Sequence, residues 1–421
     1  MSKRRFLLTN MGSLGDLHPF MGMALELMRA GHEVLFVSGE SYRDYVESFG
    51  IAFASVRPNF HPNDPELLAI VLDRMNGPKR LHKDLVFGRI RETYEDFIKL
   101  AGGYDVIVGG TLGFFVPTVA EMLGVPWVSV TLSPVLLWSA HDVPVIPQWP
   151  PAARLLRMAG PRFTKGYLDL VLRFVDSWAA NLHELRRDLG LPRSRGLYRG
   201  MMASPHLNLM LFSSVFAAPQ PDWPAPYAQC GFVDFDGKTG AIAPEVESFL
   251  AQGPAPILFT LGSTASEFDV AMLRTFVDYA KQSSHRVLFV VGKKNEAELR
   301  SQNSERLHFA SYVPYGEIMP RCRLVVHQGG IGTTAQAMKS GNPSLIVADV
   351  NDQPDNGDHL ARTGAGEWIP ASKLSVKRLA QKIDELLASE PIKRRASEVA
   401  AKLSAESGAT NAARALESLL K

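Results

Sequence analysis

Short runs with hardly a polar residue recur along the whole chain. In the first half they are Arg5–Asn10, Glu33–Ser38 (EVLFVS), Ile51–Val56, Asp105–Gly109 and Trp127–Thr131; in the second they are Pro256–Leu261, Arg286–Val291, Leu307–Ala310, Leu324–His327 and Ser344–Ala348. A strand with one wet face alternates apolar and polar residues. A strand that is apolar at successive positions is covered on both faces, which is the mark of a parallel sheet layered between helices. Segments of helical period fall between the runs. His18–Ala30 places Phe20, Met23, Ala24, Leu27 and Met28 on helical spacing and stops at Gly31, a natural C-terminal cap. Tyr42–Phe49 and the segment around Phe115–Leu123 read the same way, and Ser375–Ser389, Ile392–Ser407 and Asn411–Leu420 close the chain. The alternation predicts an α/β protein built from two Rossmann-like, doubly wound parallel sheets.

A length of 421 residues suits two or three domains. Between the halves, Ala217–Pro226 carries four prolines, which can continue neither a helix nor a central strand. The expected division is a first domain over 1–214, a proline-rich linker over 215–240 and a second domain over 241–400. A closing helix over 401–421 is expected to pack back on the first domain. Ligands in such folds bind beyond the carboxyl ends of the strands, so the site is expected in a cleft between the halves.

Composition removes several classes of function. Lys and Arg number 45 against 43 Asp and Glu, a net charge of +2 with no basic stripe for nucleic acid. Cys230 and Cys322 are the only cysteines, too few and too distant for a disulfide framework or a zinc site, and they fit a reducing, cytoplasmic setting. The apolar Phe6–Leu8 run breaks at Thr9-Asn10, too soon for a signal peptide's hydrophobic region. Val106–Ala140 holds a single charge, Glu121, but its glycines and prolines divide it into strand, helix and strand, so no membrane span is expected.

Glycine-rich turns follow several strands. His327-Gln-Gly-Gly-Ile-Gly-Thr-Thr334 leaves one strand and opens a helix expected over Thr334–Ser340. Gly329, Gly330 and Gly332 let backbone approach a ligand, and a helix N-terminus attracts phosphate. Thr333 and Thr334 add hydroxyls, and His327 at the strand tip is placed to donate to an anion. The plain alternative is a capped strand-to-helix turn. This is neither a Walker loop nor a dinucleotide fingerprint. One strand later, Asp352 and Gln353 offer the donors and acceptors that grip sugar hydroxyls, or simply form a turn. Gly262-Ser263-Thr264 after the first strand of the second half is a further anion-contact candidate or an ordinary loop. In the first half, Gly12-Ser-Leu-Gly15-Asp16-Leu-His18 follows the first strand: Gly12 and Gly15 allow close backbone approach, and Asp16 is either the cap of the next helix or a general base. His18 is a competing base.

Together these segments resemble the GT-B glycosyltransferases of the family 1 type, which use nucleotide-activated sugars. The likeness covers most of the chain and rests on Gly12–Pro19, Gly262-Ser263, Tyr312-Val-Pro314, His327–Thr334 and Asp352-Gln353 in the family's order. Asp222-Trp-Pro-Ala-Pro226, Gly231-Phe232 and Asp352-Gln-Pro-Asp-Asn356 look most like bacterial rhamnosyltransferases of the rhamnolipid type. The resemblance implies Asp16 as catalytic base. It implies Ser263, His327, Gly330, Gly332, Thr333 and Thr334 at the diphosphate, Val313 reading the base through its backbone with Tyr312 as a stacking ring, and Asp352 and Gln353 on the donor sugar. Gly15, Thr264 and Gly329 join the donor set. The sequence departs from plant members in three places. The loop Gly109–Phe115 has no carboxylate to relay protons, Tyr315 stands where Gln is common, and Ala335 stands where a ribose-binding Glu is found. The last is compatible with a dTDP donor, as with UDP.

The expected activity is inverting, metal-independent transfer of rhamnose or glucose from a dTDP- or UDP-sugar to a hydroxyl of a small hydrophobic acceptor. No cofactor or metal is expected. His18, Phe20, Phe114, Phe115 and Trp138 are candidates to line the acceptor pocket, with peripheral membrane contact expected if the acceptor is a lipid. A nucleotide-sugar epimerase and a non-catalytic sugar-nucleotide-binding partner protein are the competing readings.

Overall fold

The computed structural model describes residues 2–61, 64–194, 196–235, 237, 242–262 and 270–421. The chain divides into two compact units, Met1–Phe235 with Ser407–Lys421, and Asp236–Glu406.

The first unit holds a seven-stranded sheet made of β1 (Arg5–Thr9), β2 (Glu33–Ser38), β3 (Ala52–Ser55), β4 (Val106–Gly109), β5 (Trp127–Thr131), β6 (Leu207–Met210) and β7 (Tyr227–Gln229). Its order is β3-β2-β1-β4-β5-β6-β7, and every pair is parallel. Leu7 on β1 lies between Leu35 and Ile107. A core of Leu7, Val37, Phe97, Ile107, Phe114 and Phe115 covers one face, and Phe6, Leu8, Phe36, Val106 and Val108 at the alternate positions are equally buried, so these strands have no wet side and read as unbroken apolar runs.

The second unit holds β8 (Ile257–Thr260), β9 (Val287–Val290), β10 (Leu307–Ala310), β11 (Leu324–His327), β12 (Ser344–Ala348) and β13 (Gly366–Pro370). The order is β10-β9-β8-β11-β12-β13, again all parallel. Phe259, Phe289 and Phe309 pack ring against ring across β8, β9 and β10, with centroids 5.1 and 5.0 Å apart. In each sheet the strand order reverses once, between β1 and β4 and between β8 and β11. Loops leaving neighbouring strands at such a point run in opposite directions and open a crevice.

Two expectations from the sequence change. The proline-rich stretch is not a free linker over 215–240. Residues 215–235 belong to the first unit, with Phe216, Trp223 and Phe232 buried and Tyr227–Gln229 forming β7. The prolines are tolerated because β7 is an edge strand and its residues follow the last of them. The first helix spans Leu14–Arg29 and contains Pro19 in its second turn. Pro19 only removes the bond that its N–H would make to the carbonyl of Gly15, while its fixed φ suits the helix.

The closing helix Gly408–Leu419 packs on Leu14–Arg29 within the first unit. Glycine permits the approach: a Cβ at Gly408 would lie 2.3 Å from the Phe232 carbonyl oxygen, and one at Gly22 would lie 2.6 Å from Val233 Cγ1. His32 Nε2 meets Glu417 Oε1 at 3.0 Å. The apolar stretch 106–140 divides into β4, the helix Val116–Leu123 and β5. Among the described residues no helix is long and apolar enough to cross a membrane.

Candidate functional site

In the second unit, β8 and β11 are neighbours and Thr260 lies opposite His327. The chain leaves both strands through glycines that no other residue could replace without strain. Gly262 has φ +70, and a Cβ there would come within 2.8 Å of Gln328 Nε2; Gly329 has φ +96, and its Cβ would meet Ile346 Cγ2 at 2.6 Å. The helix that follows spans Ile331–Lys339 with Gly330 as N-cap, one turn before the start expected at Thr334. Thr334 is therefore inside the helix. Its hydroxyl donates to the Gly330 carbonyl at 3.0 Å and its N–H to the same oxygen at 2.9 Å. Thr334 is fully buried and committed to this turn, so its side chain is a structural member and not a ligand contact. Among the described residues, and apart from their own chain neighbours and helix backbone, no atom lies within 4 Å of where a Cβ on Gly330 or Gly332 would stand. The first-turn N–H groups of Ile331, Gly332 and Thr333, which by position have no partner within the helix, border that space.

His327 ends β11 and is fully buried. Its Nδ1 accepts the N–H of Gly329 at 3.2 Å, which puts the ring proton on Nε2. Nε2 meets no partner among the described residues. Burial pulls the imidazole pKa down to about 3, so the ring is neutral and keeps one unspent donor.

Asp352 stands at the N-cap position of the helix Gln353–Thr363, which follows β12, with no capping bond made by its side chain. Gln353 Oε1 accepts from the N–H groups of Asp349 at 2.9 Å and Val350 at 3.2 Å, so its carbonyl braces the loop and its amide nitrogen is left to donate. Sequence reasoning gave no role to Asn356. Fully buried, it donates through Nδ2 to the Gly329 carbonyl at 2.9 Å and to Asp352 Oδ2 at 2.8 Å. One amide thus ties the glycine turn to the acidic turn. The available signal was a polar residue among buried positions, four after Asp352. Val313 sits with its side chain in the core, which leaves its backbone as the only group to present; Tyr312 is exposed. Tyr315 pairs its hydroxyl with Thr260 Oγ1 at 2.6 Å, and burial pushes its pKa up to about 12. Ser263 and Thr264 lie outside the described residues.

In the first unit the turn after β1 carries Asp16 as the third residue of the helix, with Ser13 as N-cap. Asp16 is therefore not the cap. Its Oδ2 accepts from the Ser13 N–H at 2.9 Å and the Ser13 hydroxyl at 3.0 Å. Burial raises its pKa above the ordinary carboxylate value, with the Ser13 bonds pulling the other way. Gly12 has φ +145, and a Cβ there would sit 2.5 Å from Asp16 Oδ2, two separate reasons for glycine at this position. Tyr42 donates to the Gly12 carbonyl at 2.7 Å. Gly15 precedes Asp16 and is half-buried. His18 is turned elsewhere: Nε2 contacts the Tyr45 hydroxyl at 2.9 Å and the ring meets Phe235 edge-on. Positions i and i+2 of a helix do not share a face, so His18 does not stand behind Asp16. Burial lowers its pKa to about 4.

Three expected acceptor residues are core. Phe20, Phe114 and Phe115 are fully buried, Phe20 against Phe36, Phe114 against His82 and Phe87, and Phe115 against Phe97, so they serve as packing. A cavity of about 140 Å³ does open in this unit, lined by none of these three and among others by Thr111, Ser129, Thr131, Leu136, Leu137 and Tyr198. Trp138 borders it through Tyr198, their rings 5.8 Å apart, and holds a left-handed φ of +48. Tyr198 reaches His82 Nε2 at 2.7 Å, whose Nδ1 reaches the Pro78 carbonyl at 2.7 Å. Among the described residues no group of three or more His, Cys, Asp or Glu is placed to hold a metal ion.

Residues 6–136 match the glycosyltransferase family 28 N-terminal domain, and residues 276–419 match the erythromycin biosynthesis protein CIII-like C-terminal domain. The chain is 30% identical to the O-mycaminosyltylonolide 6-deoxyallosyltransferase of Streptomyces fradiae, over 97% of this chain and 96% of that protein. The crystal structure of the glycotransferase of kitacinnamycin superposes with a TM-score of 0.75 at 18% identity, covering 100% of both chains. The spinosyn rhamnosyltransferase SpnG complexed with thymidine diphosphate superposes at 0.70 with 19% identity, over 98% of this chain and 100% of that one.

Proposed function

The chain belongs to the GT-B glycosyltransferases of the family 1 type, and on that footing we propose that it transfers a hexose or 6-deoxyhexose, such as glucose or rhamnose, from a dTDP- or UDP-activated donor to a hydroxyl of a small hydrophobic natural product or lipid. The observation that carries the donor reading is the unspent Nε2–H of His327 beside the open first turn of Ile331–Lys339. A neutral donor and a helix N-terminus together suit a diphosphate without a basic patch. The thymidine diphosphate held by a related structure favours the thymidine nucleotide, and Ala335 at the place of a ribose carboxylate is compatible with it.

Asp16 acts as the base. Both Ser13 donors fall on Oδ2, which leaves Oδ1 to take the proton of the acceptor hydroxyl as its oxygen attacks the anomeric carbon. The bond from that carbon to the diphosphate oxygen breaks on the opposite face, so the configuration inverts. The leaving diphosphate keeps its charge, stabilised by His327 Nε2–H and the N–H groups at Gly332 and Thr333, and no metal is required. A raised carboxylate pKa brings the base nearer to working pH. Asp352 and the Gln353 amide hold the donor sugar. The cavity beside Leu136, Leu137 and Tyr198 takes the apolar end of the acceptor, and its small volume admits one ring or chain segment.

Thermal melting with dTDP, UDP and GDP tests the donor. Binding stabilises by mass action, and dTDP is expected to raise the midpoint most; a flat response to all three would sink the reading. Asp16→Asn should keep the dTDP shift and lose at least about 1,000-fold in turnover, as general bases contribute roughly that much. NMR of the first product should show the inverted anomer with EDTA present.

A further inference from the structure

Six of the twelve large apolar side chains most exposed among the described residues fall within residues 149–174: Trp149, Leu155, Met158, Phe163, Leu170 and Phe174. They belong to or precede two helices of the first unit, Pro151–Ala159 and Pro161–Asp176, joined at Gly160 and tied by the Thr164 hydroxyl donating to the Leu156 carbonyl at 2.9 Å. The second helix carries two apolar stripes. Thr164, Leu168, Leu172 and Val175 face inward and are buried. Phe163, Leu170 and Phe174 stand at i, i+7 and i+11, one helical face, and are 63%, 66% and 63% exposed. The inner stripe docks the helix on its own unit. Phe174 meets Trp178 edge-on with ring centroids 5.6 Å apart, yet the outer stripe stays mostly exposed, and exposed apolar patches of this extent mark interaction sites.

The charges around the stripe indicate what covers it. These helices hold Arg154, Arg157, Arg162, Lys165 and Arg173 against Asp169 and Asp176. Both carboxylates are engaged, Asp169 by Lys165 and Arg199, and Asp176 by the Leu197 N–H. Arg154, Arg162 and Arg173 meet no carboxylate among the described residues, and Arg162 and Arg173 directly precede Phe163 and Phe174. A chain of net charge +2 thus gathers unpaired cations at its most apolar surface. A two-fold contact between copies would oppose these arginines to themselves. A convex helix with a ridge of Phe and Leu and long cations beside it fits an interfacial helix on an acidic bilayer, where arginines reach the headgroups while the apolar ridge enters the acyl boundary.

We propose that the Pro151–Asp176 helical pair binds the surface of an anionic lipid bilayer, with the Phe163–Leu170–Phe174 ridge inserted and Arg154, Arg162 and Arg173 on the headgroups. The inference rests on the first unit alone and stands whether or not sugar transfer is confirmed.

Flotation of the full chain with vesicles of phosphatidylcholine alone and of equimolar phosphatidylcholine and phosphatidylglycerol tests it. The chain is expected to float with the acidic vesicles and to be released by high salt. Arg154→Gln with Arg162→Gln and Arg173→Gln should weaken that partition about 100-fold, roughly fivefold for each cation near an acidic surface. Phe163→Ser with Leu170→Ser and Phe174→Ser should weaken it by at least about 100-fold, from three apolar side chains left in water. Circular-dichroism melts confirm that each variant is folded, and the arginine set carries the test if the serine set is not. No flotation with acidic vesicles, or flotation unchanged in both variants, overturns the proposal. A lipid-free dimer of the native chain that the serine variant abolishes also overturns it and makes the face an interface between copies.

Discussion

Replacing Gly12 by Ala perturbs Asp16 without touching its chemistry. The added Cβ would lie 2.5 Å from Asp16 Oδ2 and 2.7 Å from Cγ, and the backbone φ of +145 is one an alanine resists. Holding that φ costs on the order of 1–3 kcal/mol. Relieving the clash moves the carboxylate by a sizeable part of an ångström, away from the Ser13 N–H at 2.9 Å and the Ser13 hydroxyl at 3.0 Å. Hydrogen bonds to a charged group contribute about 1.5–3 kcal/mol each, and partial loss of one is enough to loosen the turn. The expected stability loss of about 2–4 kcal/mol combines these terms. A displacement near 1 Å of a catalytic group costs roughly 100-fold in rate. Gly12→Ala is therefore expected to lower kcat/KM about 100-fold while dTDP binding, assigned to the other unit, stays within about twofold. Steady-state kinetics beside calorimetric titration of dTDP reads both. A kcat/KM within about twofold of the native enzyme would refute the claim that the position of Asp16 governs the reaction.

His327 carries a pH prediction. Its pKa falls from 6.5 to about 3 on folding, so between those values the unfolded chain binds more protons and stability falls as pH drops. From pH 6.5 to 4.5 the group accounts for about 2–3 kcal/mol, at 1.36 kcal/mol per pH unit; urea melts of His327→Gln should show a shallower acid limb, and an unchanged limb would discredit the buried neutral ring. Asn356→Ala leaves the Gly329 carbonyl and Asp352 without their shared donor, and should cost about 1–3 kcal/mol in denaturant melts. It should also weaken the dTDP-sugar more than the acceptor, and a loss confined to the acceptor KM would place the bridge elsewhere. Phe114→Ala should destabilise by about 3–5 kcal/mol as a core cavity; a variant of native stability with altered acceptor preference would return Phe114 to the pocket.

Much of this architecture is readable along the chain. RFLLT, EVLFVS, ILFT and LVVH are strands because each is apolar at successive positions, which only burial on both faces explains. The strands β6, β7 and β13 escape that rule. LNLM hides Asn208, whose amide is satisfied by the Ser204 and Pro226 carbonyls, while YAQ and GEWIP are edge strands under less cover. The glycine turns were visible too, since Gly329 and Gly330 stand where backbone must turn sharply, but the start of the helix was not. Its N-cap is a glycine without a side-chain signal, and so Thr334 looked like a cap although it is one turn inside.

What the amino-acid order determined by itself is local: runs that must be buried, helices that follow them, and a carboxylate, a histidine and small residues placed just beyond strand ends. Tertiary structure decided which of these ends are neighbours. Strand order brings β8 beside β11 across about 65 residues and β1 beside β4 across nearly 100, and hydrogen-bond pairing over such separations has no local signature. The same long-range packing buried Phe114 and Phe115, drew the proline-rich segment into the first sheet, and set Asn356 between two turns that are 23 residues apart, Gly329 and Asp352. A residue's type states what chemistry it can supply; its neighbours, chosen by the fold, determine whether that capacity is spent inside the protein or left for a ligand.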